Sequence, residues 1–151
     1  MSLPYTIDIE APIEIAFHCV NDIEKIKIWM PELVRTDYIG DYDKENPVGT
    51  KFTQKLKEGG RVVGYAGEIL AYDKPRLLGI RIGNTMFQVE VYYRFEPITT
   101  GTRLCYECNL FYQNWLAQTI GKLFEWLNRR ILTKQLNALK QLAEKESKSI
   151  I

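Results

Sequence analysis

The hydrophobic period of this chain changes at one dipeptide, Ala11-Pro12, and that switch limits its architecture more than any other feature. Before it, Tyr5, Ile7 and Ile9 alternate with Thr6, Asp8 and Glu10, the period of a strand with one face buried. After it, Ile13, Ala16, Phe17 and Val20 recur at i, i+3, i+4 and i+7, the stripe of a short amphipathic helix. Pro12 suits the first turn of that helix, where a missing N–H costs nothing. From Asn21 the chain reads N-D-I-E-K-I-K-I-W-M-P, a second short helix ending at Trp-Met-Pro.

Strands follow, and their turns set which side chains point inward. Gly59-Gly60 is a two-residue hairpin signal, since both positions accept positive φ. Closing it pairs Leu56 with Val63, Gln54 with Tyr65, Phe52 with Gly67 and Thr50 with Ile69, and turns Lys51, Thr53, Lys55 and Lys57 to water. Ile82-Gly83-Asn84-Thr85 reads as a second such turn, placing Ile80 opposite Phe87 and Leu78 opposite Val89. Beyond it Phe87, Val89, Val91, Tyr93 and Phe95 alternate with Gln88, Glu90, Tyr92, Arg94 and Glu96. A third hairpin around Thr99-Thr100-Gly101 sets Phe95 opposite Leu104, Tyr93 opposite Tyr106, Val91 opposite Cys108 and, on the outer face, Glu96 beside Arg103. The three turns agree on one apolar face, which a one-residue slip would invert.

A helix from about Asn114 to Glu146 closes the domain, with Leu116, Ile120, Leu123, Leu127, Ile131 and Ala138 as its inner stripe. Thirty residues of helix span ~45 Å, enough to cross a sheet. The expected class is α+β, in the order β-α-α-β6-α, as one domain over residues 3–146 with a frayed tail at 147–151. The Ala-Pro opening, the Asp22 to Trp29 helix, Val48-Gly49-Thr50 and Asp73-Lys74-Pro75-Arg76 before a strand resemble the START-like (SRPBCC, polyketide cyclase/dehydrase-like) helix-grip superfamily. The resemblance implies a seven-stranded curved antiparallel sheet gripping the long helix, with a cavity for an apolar ligand between them. It also places Trp29 at the rim of that cavity, whereas the residue pattern alone fits a buried anchor equally well. None of these motifs is catalytic.

Composition removes several functions. Twenty Lys and Arg against nineteen Asp and Glu leave a net charge of +1, which gives no global electrostatic reason to expect nucleic acid. No apolar run reaches the ~18 residues of a membrane span. Three cysteines, without a secretory leader, point to a reduced cytoplasm. Cys105 and Cys108 form C-x-x-C, but mid-strand positions i and i+3 face opposite ways, so they cannot share a metal or a disulfide. His18, the single histidine, falls off the apolar stripe beside Glu14 and Asp22, at a solvated position. Nothing in the chain calls for a metal or cofactor.

The inward wall carries the functional expectation. It is aliphatic and aromatic with a few hydroxyls and one amide, Gln54, and it contains no charged group. Such a wall suits a pocket in which a few polar groups orient an apolar ligand. The expected ligand-binding residues are Trp29, Phe52, Gln54, Tyr65, Phe87, Val91, Tyr93 and Tyr106 from the wall, with Leu123 and Leu127 from the helix. Binding or carriage of a small hydrophobic molecule is the leading function. A cyclase- or dehydratase-like enzyme and a ligand-free, co-chaperone-like interaction module are the alternatives. A flank of the long helix, Trp115, Lys122, Trp126, Arg129 and Thr133, interleaves tryptophan with cations. It fits a peripheral membrane or homodimer contact, or tryptophans packed on the short helices with their cations left wet.

Overall fold

The computed structural model describes residues 2–85, 87–112 and 115–149, with side chains for residues 5–85, 87–111 and 129–149. Strand β1 (Ser2–Ile9) is followed by α1 (Ile13–Asn21) and α2 (Ile23–Trp29). Six strands come next, β2 (Leu33–Ile39), β3 (Lys51–Glu58), β4 (Arg61–Asp73), β5 (Leu77–Gly83), β6 (Phe87–Ile98) and β7 (Gly101–Tyr112), and then α3 (Trp115–Ser149). The strands form one antiparallel, curved sheet in the order β1-β7-β6-β5-β4-β3-β2, so the first strand returns to pair with the last. This is the helix-grip arrangement that the resemblance to the START-like superfamily implies.

The period switch at Ala11-Pro12 is held in place by a side chain from the far end of the sequence. Thr102 on β7 is fully buried, and its hydroxyl donates to the Ala11 carbonyl at 2.7 Å. Pro12 occupies the N-cap of α1, one residue earlier than a first-turn position, and its carbonyl accepts from the N–H groups of Ile15 and Ala16. Asp22 then caps α2, accepting the Glu24 N–H at 2.9 Å. The inner stripe of α1 is buried as its spacing requires, through Ala16, Phe17 and Val20.

Two of the three hairpins adopt the expected register. Leu56 pairs with Val63, Gln54 with Tyr65 and Phe52 with Gly67, while Tyr93 pairs with Tyr106 and Phe95 with Leu104. The β5–β6 hairpin does not. Ile80 lies opposite Val91 and Leu78 opposite Tyr93, four residues beyond the Phe87 and Val89 expected. The chain reverses after Asn84 instead: its N–H donates to the Phe87 carbonyl at 2.9 Å, and its side-chain oxygen accepts the Phe87 N–H at 3.1 Å. Asparagine imposes this turn by bonding its own backbone neighbours. A slip of four is even, so every residue keeps its face.

A bulge between Ile69 and Ala71 in β4 does change a face. The extra residue reverses the alternation beyond it, and Tyr72 turns inward against Phe17, their ring centroids 5.8 Å apart. On the outer face Arg103 meets Glu96 only at 4.0 Å, whereas its Nε lies 2.8 Å from Asp8 on β1.

The described half of α3 seats on a different line from the one expected. Leu136, Leu139 and Ala143 are fully buried, while Ile131 is 47% exposed. Ala138 packs against the core only in part. The buried line continues back through Leu132, about 100° round the helix from Ile131. Apolar side chains at both 131 and 132 made the two meridians indistinguishable by period. Helix α3 also runs on to Ser149, through the first part of the tail expected to fray. Its end is tied down: the Glu144 carboxylate accepts the Glu10 N–H at 2.9 Å, and Glu146 pairs with Lys25. The side chains of Trp115, Leu116, Ile120, Lys122, Leu123, Trp126 and Leu127 lie outside the described residues.

Candidate functional site

The residues that turn inward leave a cavity of about 90 Å³, whose described walls are α1 and α2 on one side and β2 to β6 on the other. Val20, Ile23 and Ile26 close it from the helices, and Phe52, Ile69, Leu78, Ile80 and Tyr93 close it from the sheet. The expected site lay between the sheet and the long helix. Among the described residues, it is the two short helices that form the helical wall.

Trp29 is the buried anchor that the residue pattern fits. It is 3% exposed, lines the cavity, and donates its indole N–H to the Cys19 carbonyl at 2.8 Å. That carbonyl belongs to the last turn of α1, where helical carbonyls have no intrahelical donor. The tryptophan therefore caps one short helix from the end of the other. Phe52 is placed by its cross-strand partner. A Cβ on Gly67 would meet the Phe52 ring at 2.4 Å, so glycine alone lets the ring lie across β4. Gln54 has a partner for its amide, donating to the Thr36 hydroxyl on β2 at 3.2 Å, and both side chains line the cavity.

Thus Trp29, Phe52, Gln54 and Tyr93 come together. Val91 and Tyr106 are buried but stand outside the described lining; Tyr106 lies edge-on to Tyr93, centroids 5.3 Å apart. Tyr65 and Phe87 sit at the other end of the sheet, against each other at 6.3 Å. There the Tyr65 hydroxyl donates to Glu58, 2.8 Å from Oε1. Glu58 shares the strand parity of Phe52, Gln54 and Leu56, so a carboxylate does stand on the inner face, at its edge. The alternation would have revealed it had the inward series been carried two residues further. Leu123 and Leu127 fall among the side chains outside the described set.

Three lining residues had no place in the sequence reading. Thr36 and Tyr38 come from the edge strand β2, and Tyr42 from the loop that follows it. The Tyr38 and Tyr42 rings are stacked, 4.1 Å apart and 7° from parallel. These two tyrosines, with Asn21 and Ile23, also line a second space of about 820 Å³, bounded by His18, Asp22, Lys44, Glu45, Tyr72, Asp73 and Lys74. This polar vestibule stands at the same end of the molecule. His18 is exposed there, its Nε2 3.2 Å from Asp22.

The electrostatics of the cavity are simple. Its described lining has no carboxylate, lysine, arginine or histidine; its ionisable groups are the phenols of Tyr38, Tyr42 and Tyr93. Burial pushes the Tyr93 phenol well above the ordinary tyrosine range. Burial, reinforced by the Tyr42 hydroxyl, does the same to Tyr38. None of the three cysteines is in a disulfide; Cys108 packs against the core and Cys105 lies on the opposite face. Among the described residues no group of His, Cys, Asp and Glu could hold a metal ion, and no helix is long and apolar enough to cross a membrane.

Comparison with known proteins agrees with this architecture. Residues 2–144 match the family described as polyketide cyclase/dehydrase and lipid transport. TTHA0849 from Thermus thermophilus superposes with a TM-score of 0.74 at 17% identity, covering 97% of this chain and 99% of that one. Ara h 8.0201 does so at 0.72 and 12%, covering 95% and 97%. The di-domain ARO/CYC StfQ of the steffimycin biosynthetic pathway does so at 0.73 and 11%, with 98% of this chain covering 51% of that one. At these identities the likeness is one of fold. A comparison with curated protein sequences gives no match. The family match spans nearly the whole chain: the chain belongs to the polyketide cyclase/dehydrase and lipid transport family.

Proposed function

We propose that this protein binds a small, predominantly apolar molecule in the cavity between α1–α2 and the sheet, and holds it without transforming it. The observation that carries this reading is the described lining: aliphatic and aromatic walls, the amide–hydroxyl pair of Gln54 and Thr36, the Asn21 amide, and, among the described residues, no ionisable group except phenols. Apolar burial at ~25 cal/mol per Å² supplies the affinity. Gln54, Thr36 and Tyr93 orient the ligand through hydrogen bonds worth ~1 kcal/mol each. General acid–base catalysis needs a group that titrates near the working pH, and burial moves the Tyr38 and Tyr93 phenols further from neutrality. That favours binding over a cyclase-like proton transfer.

The test is a fluorescence titration with apolar probes. Ile80→Trp fills the cavity from β5 and should abolish binding, whereas Tyr93→Leu should weaken it only a few-fold. Probe binding by Ile80→Trp equal to that of the wild type would place the ligand elsewhere.

A further inference from the structure

We infer that Tyr42 is the gate of the cavity, and that a ligand enters from the polar vestibule by displacing the Tyr42 ring from the face of Tyr38. This rests on the reading of the cavity as a ligand site and adds its route and its moving part.

The argument begins with volume. A dry cavity of ~150 Å³ admits benzene, whereas this one measures about 90 Å³. A single ring is therefore fully enclosed only if a described wall yields; otherwise it extends out of the cavity. Nearly all the described lining residues sit on α1, α2 or the strands, where backbone hydrogen bonds hold them. Met30, at the end of α2, is held too, since its N–H donates to Ile26 and its carbonyl accepts from Leu33. Tyr42 differs. It is the one described lining residue on a loop, between β2 and β3.

The loop is built to let that ring move. Among the described residues, no main-chain hydrogen bond ties residues 40–46 to another element. All of them are exposed apart from Tyr42 itself. The segment has defined ends. Gly40 stands at φ +78° with no atom within 4 Å of where a Cβ would be, and Pro47 is fully buried. Positive φ at an uncrowded glycine is a natural pivot, and a buried proline is a fixed anchor. Tyr42 is held inward by its stack on Tyr38, at 4.1 Å, and by the hydroxyl it sets against the Tyr38 hydroxyl. Both rings border both spaces, so they are the partition between them. Withdrawing Tyr42 would join the cavity to a vestibule of about 820 Å³ and bare the flat face of Tyr38. An entering planar group recovers the stacking that Tyr42 gives up, which a saturated chain does only in part.

Stopped-flow binding of 8-anilinonaphthalene-1-sulfonate, whose two fused rings exceed a volume of about 90 Å³, measures the gate directly. An open state populated at 10% or less slows association in proportion, so Tyr42→Ala should raise the association rate constant about tenfold or more. Tyr42→Phe keeps the stacking ring, losing only the hydroxyl contact, and should stay closer to the wild-type rate. If Tyr42→Ala loses its cooperative melt, Tyr42→Leu replaces it, removing the ring face while retaining apolar bulk. Ile80→Trp serves as the control for the cavity. Blocked binding in Ile80→Trp with unchanged association in the Tyr42 variants would overturn the gate and leave the binding function standing. Undiminished binding in Ile80→Trp would overturn both.

Discussion

Replacing Trp29 with phenylalanine should weaken the fold and enlarge the site at once. The indole N–H is the donor to the Cys19 carbonyl, at 2.8 Å in a buried setting, so Trp29→Phe leaves a helix-end acceptor without a partner. An orphaned buried acceptor costs about 1–3 kcal/mol. Trimming the bicyclic ring adds the loss of apolar contacts and a void beside the cavity, about 1 kcal/mol more. The sum is about 2–4 kcal/mol. For a chain of 151 residues, each kcal/mol lowers Tm by about 2–4 °C, so a fall of about 5–15 °C is expected. Urea melts followed by circular dichroism should show a lower midpoint with an unchanged slope. The same void extends a pocket of about 90 Å³, so a single-ring probe that the wild type binds poorly should bind better to the variant. A loss below about 0.5 kcal/mol, within the range of surface substitutions, would refute the capping role. Weaker probe binding despite a stable fold would refute the placement of the ring in the cavity wall.

Leu136→Ala should cost about 2–5 kcal/mol, whereas Ile131→Ser should stay within about 0.5 kcal/mol by urea melt, because the two lie on opposite sides of the α3 seat; comparable losses would restore the meridian through Ile131. Burial, with the nearby Glu146 carboxylate, pushes the Cys19 thiol up to about 12, so it should resist a disulfide reagent at pH 8 in the folded protein. A raised thiol pKa contributes stability that is present below the ordinary value of 9.0 and lost as pH rises toward about 12; alkaline melts of Cys19→Ala should therefore show a shallower loss over that window than the wild type. If Trp115 and Trp126 form a membrane or homodimer contact, replacing both with serine should leave the melting midpoint nearly unchanged while abolishing dimerisation or liposome binding. A large fall in the midpoint would make them core residues.

Much of this fold is legible in one dimension because strand parity and helical period are local properties. The break at Ala11-Pro12, the inward series on β3, β6 and β7, and the opposed faces of Cys105 and Cys108 all follow from the repeat of two residues along a strand. Parity, however, is blind to even shifts. The β5–β6 register could be four residues away from expectation without turning a single side chain over, since Asn84 and Gly83 both signal a turn. Parity also fails at an insertion, which is how Tyr72 comes to face inward beyond the β4 bulge. The meridian of α3 was ambiguous because Ile131 and Leu132 are both apolar, and only the position of the neighbouring elements selects between them. The cavity is the least local feature of all. Its size is the volume left when α1, α2 and five strands have packed, and its border is a stack between a strand residue and a loop residue. No periodicity encodes where the Tyr42 loop folds back, so the apolar wall belongs to the sequence and the space behind Tyr42 belongs to the tertiary structure.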